Sequence, residues 1–236
     1  MRMLSAIKQY FVPPGRSPRK IVGGMCQGLV MELDLRYQTQ LYLGLHEREL
    51  YGLVRRVGAQ VRTAIDIGAA DGEYTLYVLA RTPAVRVLAF EPSEEGRARL
   101  ETNLRHNGLS SNTRLRVFTD FIGEMDELGH RTLASVAGLV EIPCLIKMDI
   151  EGAEVMALKG AETLLSGSGV HWIVETHSED LERECIAIFR EAGFDTRIIS
   201  NAWWRIFVPE MRPGTLGTHN RWLYATKAHS PGPKAQ

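Results

Sequence analysis

The chain has 236 residues, 44% hydrophobic and 24% charged, an ordinary globular balance with enough apolar material for one large core. Lys plus Arg and Asp plus Glu number 28 each, so the formal net charge is zero. That argues against bulk electrostatic binding of nucleic acid, which needs a basic excess or stripe, and no run approaches the roughly 18 apolar residues of a membrane span.

Residues 1–20 read as an N-terminal extension. "MLSAIKQYF" puts Leu4, Ile7 and Phe11 at helical spacing but stops at Pro13 and Pro14, and "PPGRSPRK" reads as a mobile, mildly basic linker. The apolar stretch before Lys8 is too short for a signal peptide. Cys26, Cys144 and Cys185 are odd in number and far apart. They fit neither a disulfide framework nor a zinc spacing, and predict reduced thiols in a cytoplasmic protein.

One domain is expected over residues 21–228, followed by a disordered tail at 229–236. Its first part, 21–60, holds a strand in "GLVMELDLR", where Leu29, Met31, Leu33 and Leu35 alternate, and a helix in "HERELYGLVRRV". The helix places Leu50, Leu53, Val54 and Val57 on one face. The second part, 61–200, is regular. "TAIDIG", "VRVLAFEP", "RLRVF", "PCLIKMDI" and "VHWIVETH" are strands. Helical stretches follow most of them: "GEYTLYVLAR", "SEEGRARLETNLRHNG" with Ser93 as cap, and "AEVMALKGAETLL" with Ala153, Met156, Ala157, Gly160, Ala161 and Leu164 at spacings of three and four. A last helix aligns Leu181, Cys185, Ile188, Phe189 and Ala192. In the third part, 201–228, "WLYATK" pairs back on "TRIIS" as a hairpin. The alternation predicts an α/β fold: an open, mostly parallel sheet with helices on both faces.

In such sheets ligands bind at the carboxyl ends of the strands. "DIGAADGEY" stands there, with Asp66, Gly68, Ala69, Asp71 and Gly72. It does not fit G-x-G-x-x-G or a Walker loop, and its acids would repel phosphate; a glycine loop flanked by acids suits a ligand with a positive centre. Nineteen residues after Gly72, "AFEPS" ends a strand at Glu91 and Pro92, where an acid can accept both hydroxyls of a ribose. A cationic ligand with an adenosyl ribose is S-adenosylmethionine, and these residues are the candidate cofactor site.

"AIDIGAADGEYTLYVLA", "AFEPS" with Asn103 and Asn107, "LIKMDIEGAEVMALKGAETLL" and "WIVETH" together resemble the FkbM-type family of S-adenosylmethionine-dependent methyltransferases, from about Gly44 to Ile199. The resemblance implies a Rossmann-like class I methyltransferase fold, a seven-stranded sheet with an antiparallel last strand, and methyl transfer, usually to a hydroxyl of a sugar, polyketide or other small metabolite. Two positions depart from the family pattern: His46 stands where an aromatic is frequent, and Ala134 in "TLAS" replaces an acid.

Methyl transfer is an in-line displacement, so catalysis rests on positioning and removal of the acceptor proton. Asp149, in "KMDIEGAE", is the first candidate, as acceptor-orienting group, general base, metal ligand or cofactor contact. Glu175 and His177 share a strand face, so His177 can take the proton, unless it is a hydrogen-bonded structural residue, and Glu175 can orient it or hold the substrate. Asp149 and Glu175 together could hold a divalent metal. Glu151 reads equally as a helix cap or a pocket residue, and Glu154 as structural or solvent-facing. Asp120 is a candidate for the adenine amino group or, equally, a surface loop acid. Trp203, Trp204, Arg221 and Trp222 either line an acceptor pocket or pack in the core.

The expected function is O-methylation of a small-molecule acceptor. N-methylation, a non-catalytic S-adenosylmethionine-binding module and a magnesium-dependent hydrolase are the rivals. Residues 1–20 could instead fold over the site or make a homodimer contact.

Overall fold

Strands that lack polar alternation must be covered on both faces. In the computed structural model, which describes residues 12–202 and 221–227, β1 is Ser17–Lys20 and β2 is Val30–Leu33. A short helix α1 (Thr39–Leu43), a 3-10 turn at Arg48–Leu50 and helix α2 (Tyr51–Gly58) lead into β3 (Thr63–Ile67). Next come α3 (Glu73–Arg81), β4 (Arg86–Phe90), α4 (Glu94–His106) and β5 (Leu115–Phe118). A two-residue pair, β6 (Phe121–Ile122) with β7 (His130–Arg131), and a 3-10 helix at Ala134–Leu139 precede β8 (Cys144–Met148). The order closes with α5 (Glu154–Lys159), α6 (Glu162–Ser166), β9 (Val170–Thr176), α7 (Glu179–Glu191), β10 (Asp195–Ile199) and β11 (Arg221–Thr226).

The main sheet has seven strands in the order β10-β11-β9-β8-β3-β4-β5. Pairing is parallel from β5 across to β9, while β11 runs antiparallel to both β9 and β10. This is the arrangement that the family resemblance implies, with the late hairpin in register from Asp195–Thr226 to Ile199–Trp222. Every residue of β3 and of β8 is buried. One apolar layer is built from α2, α3 and α4, with Leu53, Val54, Leu76 and Leu100. The other is built from α5, α6 and α7, with Leu158, Leu164, Cys185 and Phe189. Each such side chain contributes about 1.5–3 kcal/mol by leaving water. The strand order reverses between β3 and β8, which opens a crevice at their carboxyl ends. The three cysteines are buried free thiols. Among the described residues no helix is long and apolar enough to cross a membrane.

Two expectations need correction. The stretch read as a linker contains β1, paired antiparallel with β2 from Ser17–Leu33 to Lys20–Val30. The ribbon is anchored from α4: the Asn107 side chain accepts from Val30 N at 2.9 Å and donates to Val30 O at 2.7 Å, and Asn103 Oδ1 accepts from Glu32 N at 2.7 Å. These two amides stand in for a neighbouring strand. The helix read as continuous through "AEVMALKGAETLL" is two, separated at Gly160 and Ala161, and Met156 is 49% exposed rather than on the buried face. The break follows from close packing. Gly123 presses its carbonyl where a Gly160 Cβ would stand, and Gly160 O accepts from Ala134 N at 2.9 Å. The helix expected at the N-terminus, Trp203, Trp204 and the tail at 229–236 lie outside the described residues.

Gly160→Ala is therefore expected to destabilise the fold by about 1–3 kcal/mol, the range for forcing atoms into a packed site. Urea denaturation of the variant against wild type measures it, and an unchanged midpoint would refute the packing account.

Candidate active site

The glycine loop leaves β3 at Ile67 and enters α3 at Gly72, with positive φ at Gly68 (78°), Ala70 (45°) and Gly72 (85°). Gly68 is needed for close approach, since a Cβ there would strike the carbonyl oxygen of Asp149. Around it, Gly68 N and Ala69 N both donate to Phe90 O at 3.0 Å, and Asp149 N donates to Ile67 O at 3.0 Å. The ends of β4, β3 and β8 are thereby tied into one rim.

Glu91 ends β4 as predicted. Its Oε2 accepts from Ala70 N at 2.8 Å, and its Oε1 accepts from Ser93 N at 3.0 Å and Ser93 Oγ at 2.6 Å. Gly96 leaves room for this carboxylate, because a Cβ there would stand 2.5 Å from Glu91 Cδ. Ser93 also caps α4 by accepting from Gly96 N at 3.0 Å. Asp66 is buried and accepts from Thr75 N (3.0 Å) and Thr75 Oγ1 (2.7 Å), both at Oδ2, which staples β3 to α3. Burial raises its pKa, against the opposing pull of Lys147 and the Thr75 bonds. Asp71 is a clasp: Arg16 at 2.6 Å, Gln38 at 2.5 Å and Arg99 at 2.5 Å all donate to its carboxylate. It therefore joins the loop to the N-terminal segment and to α4.

A cleft of about 650 Å³ lies over this rim. Of the sequence-predicted residues, Asp66, Gly68, Ala69, Asp71, Glu91 and Asp149 line it. Gly72, Pro92, Asp120, Glu175 and His177 lie outside its lining. Asp120 faces Arg131, whose Nε donates to it at 3.0 Å. Glu151 is exposed and lines the cleft, and α5 has no side-chain cap. Trp222 is fully buried in β11, and Arg221 pairs with Glu182 at 2.5 Å.

The acids of β8 and β9 do come together. One ligand atom from each of Asp149, Glu175 and His177 lies within 4.8 Å of the others, a donor set of the kind that can hold a divalent cation. His177 Nε2 is 3.5 Å from Asp149 Oδ1, and its Nδ1 is 2.5 Å from Glu154 Oε1. Glu154 is fully buried, so it is structural but not solvent-facing. Burial alone would lower the His177 pKa, but the bond to Glu154 and the charges of Glu175, Asp149 and Glu154 outweigh it and raise the pKa above 6.5.

Lys147 is a site residue the sequence reading missed. It is 6% exposed, its Nζ lies 3.2 Å from Asp149 Oδ2, and it sits 4.9 Å from the Tyr74 ring centroid. Burial pushes its ammonium toward neutrality, and Asp149, Glu47, Asp66 and Glu175 reverse that, holding it well above its ordinary pKa. The available signal was a lysine inside an apolar run, which must find a counter-charge if both strand faces are covered. Glu47 and Glu73 were also missed. Both are buried and line the cleft; burial raises the Glu73 pKa, with His46 opposing.

Residues 107–196 match the model of the Methyltransferase FkbM domain. Over this stretch the chain is similar to the FkbM methyltransferases. The FkbM match runs from the end of α4 into β10 and contains Asp149, Glu175 and His177; the glycine loop and Glu91 precede it. The AMB antimetabolite synthetase AmbE of Pseudomonas aeruginosa is 31% identical over 118 residues, 46% of this chain and 6% of that protein. A crystal structure of methyltransferase FkbM from Methylobacillus flagellatus KT superposes with a TM-score of 0.55 at 21% identity, over 70% of this chain and 43% of its own. An rRNA methylase from Streptococcus thermophilus gives 0.51 at 13% identity, over 78% of this chain and 98% of its own. A ribosomal protein L11 methylase from Lactobacillus delbrueckii subsp. bulgaricus gives 0.51 at 16%, over 77% and 78%. At these identities the likeness to the solved structures is one of fold. The chain thus spans a small fraction of AmbE and less than half of the FkbM structure.

His177 supplies a pH test. Its raised folded-state pKa means the native state binds the proton more tightly, so its contribution is complete below about pH 6.5 and disappears as pH rises through the folded value. His177→Gln is expected to lower the urea midpoint most at pH 5.5, with the gap to wild type closing by pH 9. A gap that widens toward alkaline pH would contradict this placement of charge.

Proposed function

We propose that the chain is an S-adenosylmethionine-dependent methyltransferase acting on a hydroxyl oxygen of a small molecule. The observation that carries the reading is the joining of three features in one cleft: the glycine loop against Asp149, the Glu91 carboxylate at the end of β4, and an acid-rich wall. The residues fit the cofactor. Glu91 faces the position of a ribose in this sheet class, and Asp66, Glu73, Asp149 and Glu151 make the lining suitable for a positive centre. Bound there, S-adenosylmethionine supplies an electrophilic methyl carbon on a sulfonium.

Asp149 takes the catalytic role. Its carboxylate would take the hydroxyl proton of the acceptor, and the cofactor, when bound, would supply the methyl group and leave with the electron pair on sulfur. Lys147 and His177 hold that carboxylate from two sides, at 3.2 and 3.5 Å. His177, itself fixed by Glu154, is a positioning residue here rather than the base proposed from sequence. Glu175 supports the same cluster. A small-molecule acceptor accords with the zero net charge, and the three free thiols accord with a cytoplasmic enzyme.

Calorimetric titration with S-adenosylmethionine and S-adenosylhomocysteine tests the cofactor. Wild type is expected to bind both, and Glu91→Ala to weaken each by at least about 10-fold, the value of a hydrogen bond to a charged acceptor. A folded wild-type protein that binds neither would end this reading. In a methyl-transfer screen over hydroxyl acceptors, Asp149→Asn is expected to lower kcat by about 100- to 10,000-fold while leaving S-adenosylhomocysteine bound. An active Asp149→Asn enzyme would remove Asp149 as base.

A further inference from the structure

Of Asp149, Glu175 and His177, Asp149 alone lines the cleft. Glu175 is fully buried in β9, and His177 directly follows that strand. The two oxygens of the Asp149 carboxylate face different partners. Oδ2 lies 3.2 Å from Lys147 Nζ, and Oδ1 lies 3.5 Å from His177 Nε2. The second distance is too long for a charge-assisted hydrogen bond, which runs at about 2.7–2.9 Å. His177 Nε2 is itself buried and has no hydrogen-bond partner among the described residues. The other ring nitrogen is committed: Nδ1 is 2.5 Å from Oε1 of Glu154, a fully buried acid.

An imidazole with Nδ1 locked on a buried carboxylate and Nε2 turned to a further acid is how proteins orient a metal ligand. The separations agree with that use. Two ligands about 2.1–2.2 Å from one ion, at angles of about 90–110°, stand about 3.0–3.6 Å apart. The 3.5 Å between Asp149 Oδ1 and His177 Nε2 falls in that range. One ligand atom from each of the three residues lies within 4.8 Å of the others, a few tenths of an ångström beyond the about 4.4 Å of a trans pair. A proton on Nε2 competes for the same place. It would draw Nε2 onto Asp149 as Nδ1 is drawn onto Glu154, and that closure is not made.

We propose that Asp149 Oδ1, the Glu175 carboxylate and His177 Nε2 bind a first-row transition-metal dication, Mn²⁺ or Zn²⁺, with Glu154 orienting the imidazole. The nitrogen ligand decides the class, because Mg²⁺ and Ca²⁺ favour shells of oxygen. The ion would meet the cleft through Asp149 and fix that carboxylate against β9. Binding requires no cofactor, so the assignment stands apart from the methyl-transfer reading.

The test is calorimetric titration of manganese(II), zinc(II) and calcium chlorides into the whole chain, stripped with chelator and desalted, with no cofactor present. Wild type is expected to bind one Mn²⁺ or Zn²⁺ at least about 10-fold more tightly than Ca²⁺. Glu175→Gln and His177→Gln each remove a ligand and are expected to weaken binding by at least about 100-fold. Glu154→Gln leaves the ligands in place and is expected to weaken it by about 10- to 100-fold. Asp120→Asn, an acid outside the set, is expected to bind as wild type does. Melting temperatures of the stripped variants near that of stripped wild type show that the fold is retained. Where a variant does not fold, electron spin-echo modulation of the Mn²⁺-loaded wild type decides. One imidazole nitrogen coupled to the manganese supports the site, and none overturns it. A folded wild type that binds neither Mn²⁺ nor Zn²⁺ also overturns it. So does Ca²⁺ bound as tightly as either, or unchanged binding in the Glu175 and His177 variants, which is the pattern of adventitious binding to surface carboxylates.

Discussion

The site depends on one backbone contact, the approach of Gly68 to the carbonyl of Asp149. No side chain can be accommodated between them, so the glycine loop and the end of β8 form a single edge. The bond from Asp149 N to Ile67 O continues the β3–β8 ladder one residue beyond the strands, and the two amides donated to Phe90 O add β4. Glu91 is then fixed from the loop side by Ala70 N and from its own turn by Ser93. The geometry of the cleft is thus set mainly by main-chain hydrogen bonds, which do not change rotamer. That is the rigidity the proposed in-line displacement would need, because orientation is most of what the protein can supply.

Charge is the second constraint. Lys147 is a buried cation among Asp149, Glu47, Asp66 and Glu175. A buried charge of this kind is tolerable only while its partners remain, and removing one leaves the others uncompensated. The acids outnumber the lysine, so the compartment remains negative overall. Strand ends at the centre of a sheet are among the few places where such a cluster can be held apart from bulk water and still reached from a cleft.

Much of this was legible in the sequence because the central strands are continuous apolar runs, which have one reading when turn residues bound them. The boundaries of "TAIDI" and "CLIKM" follow from that, as does the cap at Ser93, whose hydroxyl precedes a run of helix formers. The glycine loop and Glu91 were legible by order and spacing. What escaped depends on partners distant in sequence. Ser17–Lys20 has no alternation of its own and is a strand because β2 is pinned by Asn103 and Asn107. The break at Gly160 is set by Gly123, far back in the chain. Glu154 reads only as structural or solvent-facing, because its partner His177 lies on the next strand. Lys147 was not singled out, and its meaning appears only when four acids from three other segments and its own strand end surround it.

The position of β11 has a consequence for how the chain is made. Among the described residues β10 is hydrogen-bonded in the sheet through β11 alone, and β11 is inserted between β10 and β9. During synthesis the helices and strands through Ile199 emerge before the strand that joins β10 to the sheet. Until Arg221–Thr226 has cleared the ribosome, β9 presents an open edge, and the buried faces of Trp222, Leu223 and Ala225 are missing from the two apolar layers. The nascent chain therefore carries an association-prone edge until that strand arrives, and this sheet is completed by a strand rather than by gradual accretion of helices.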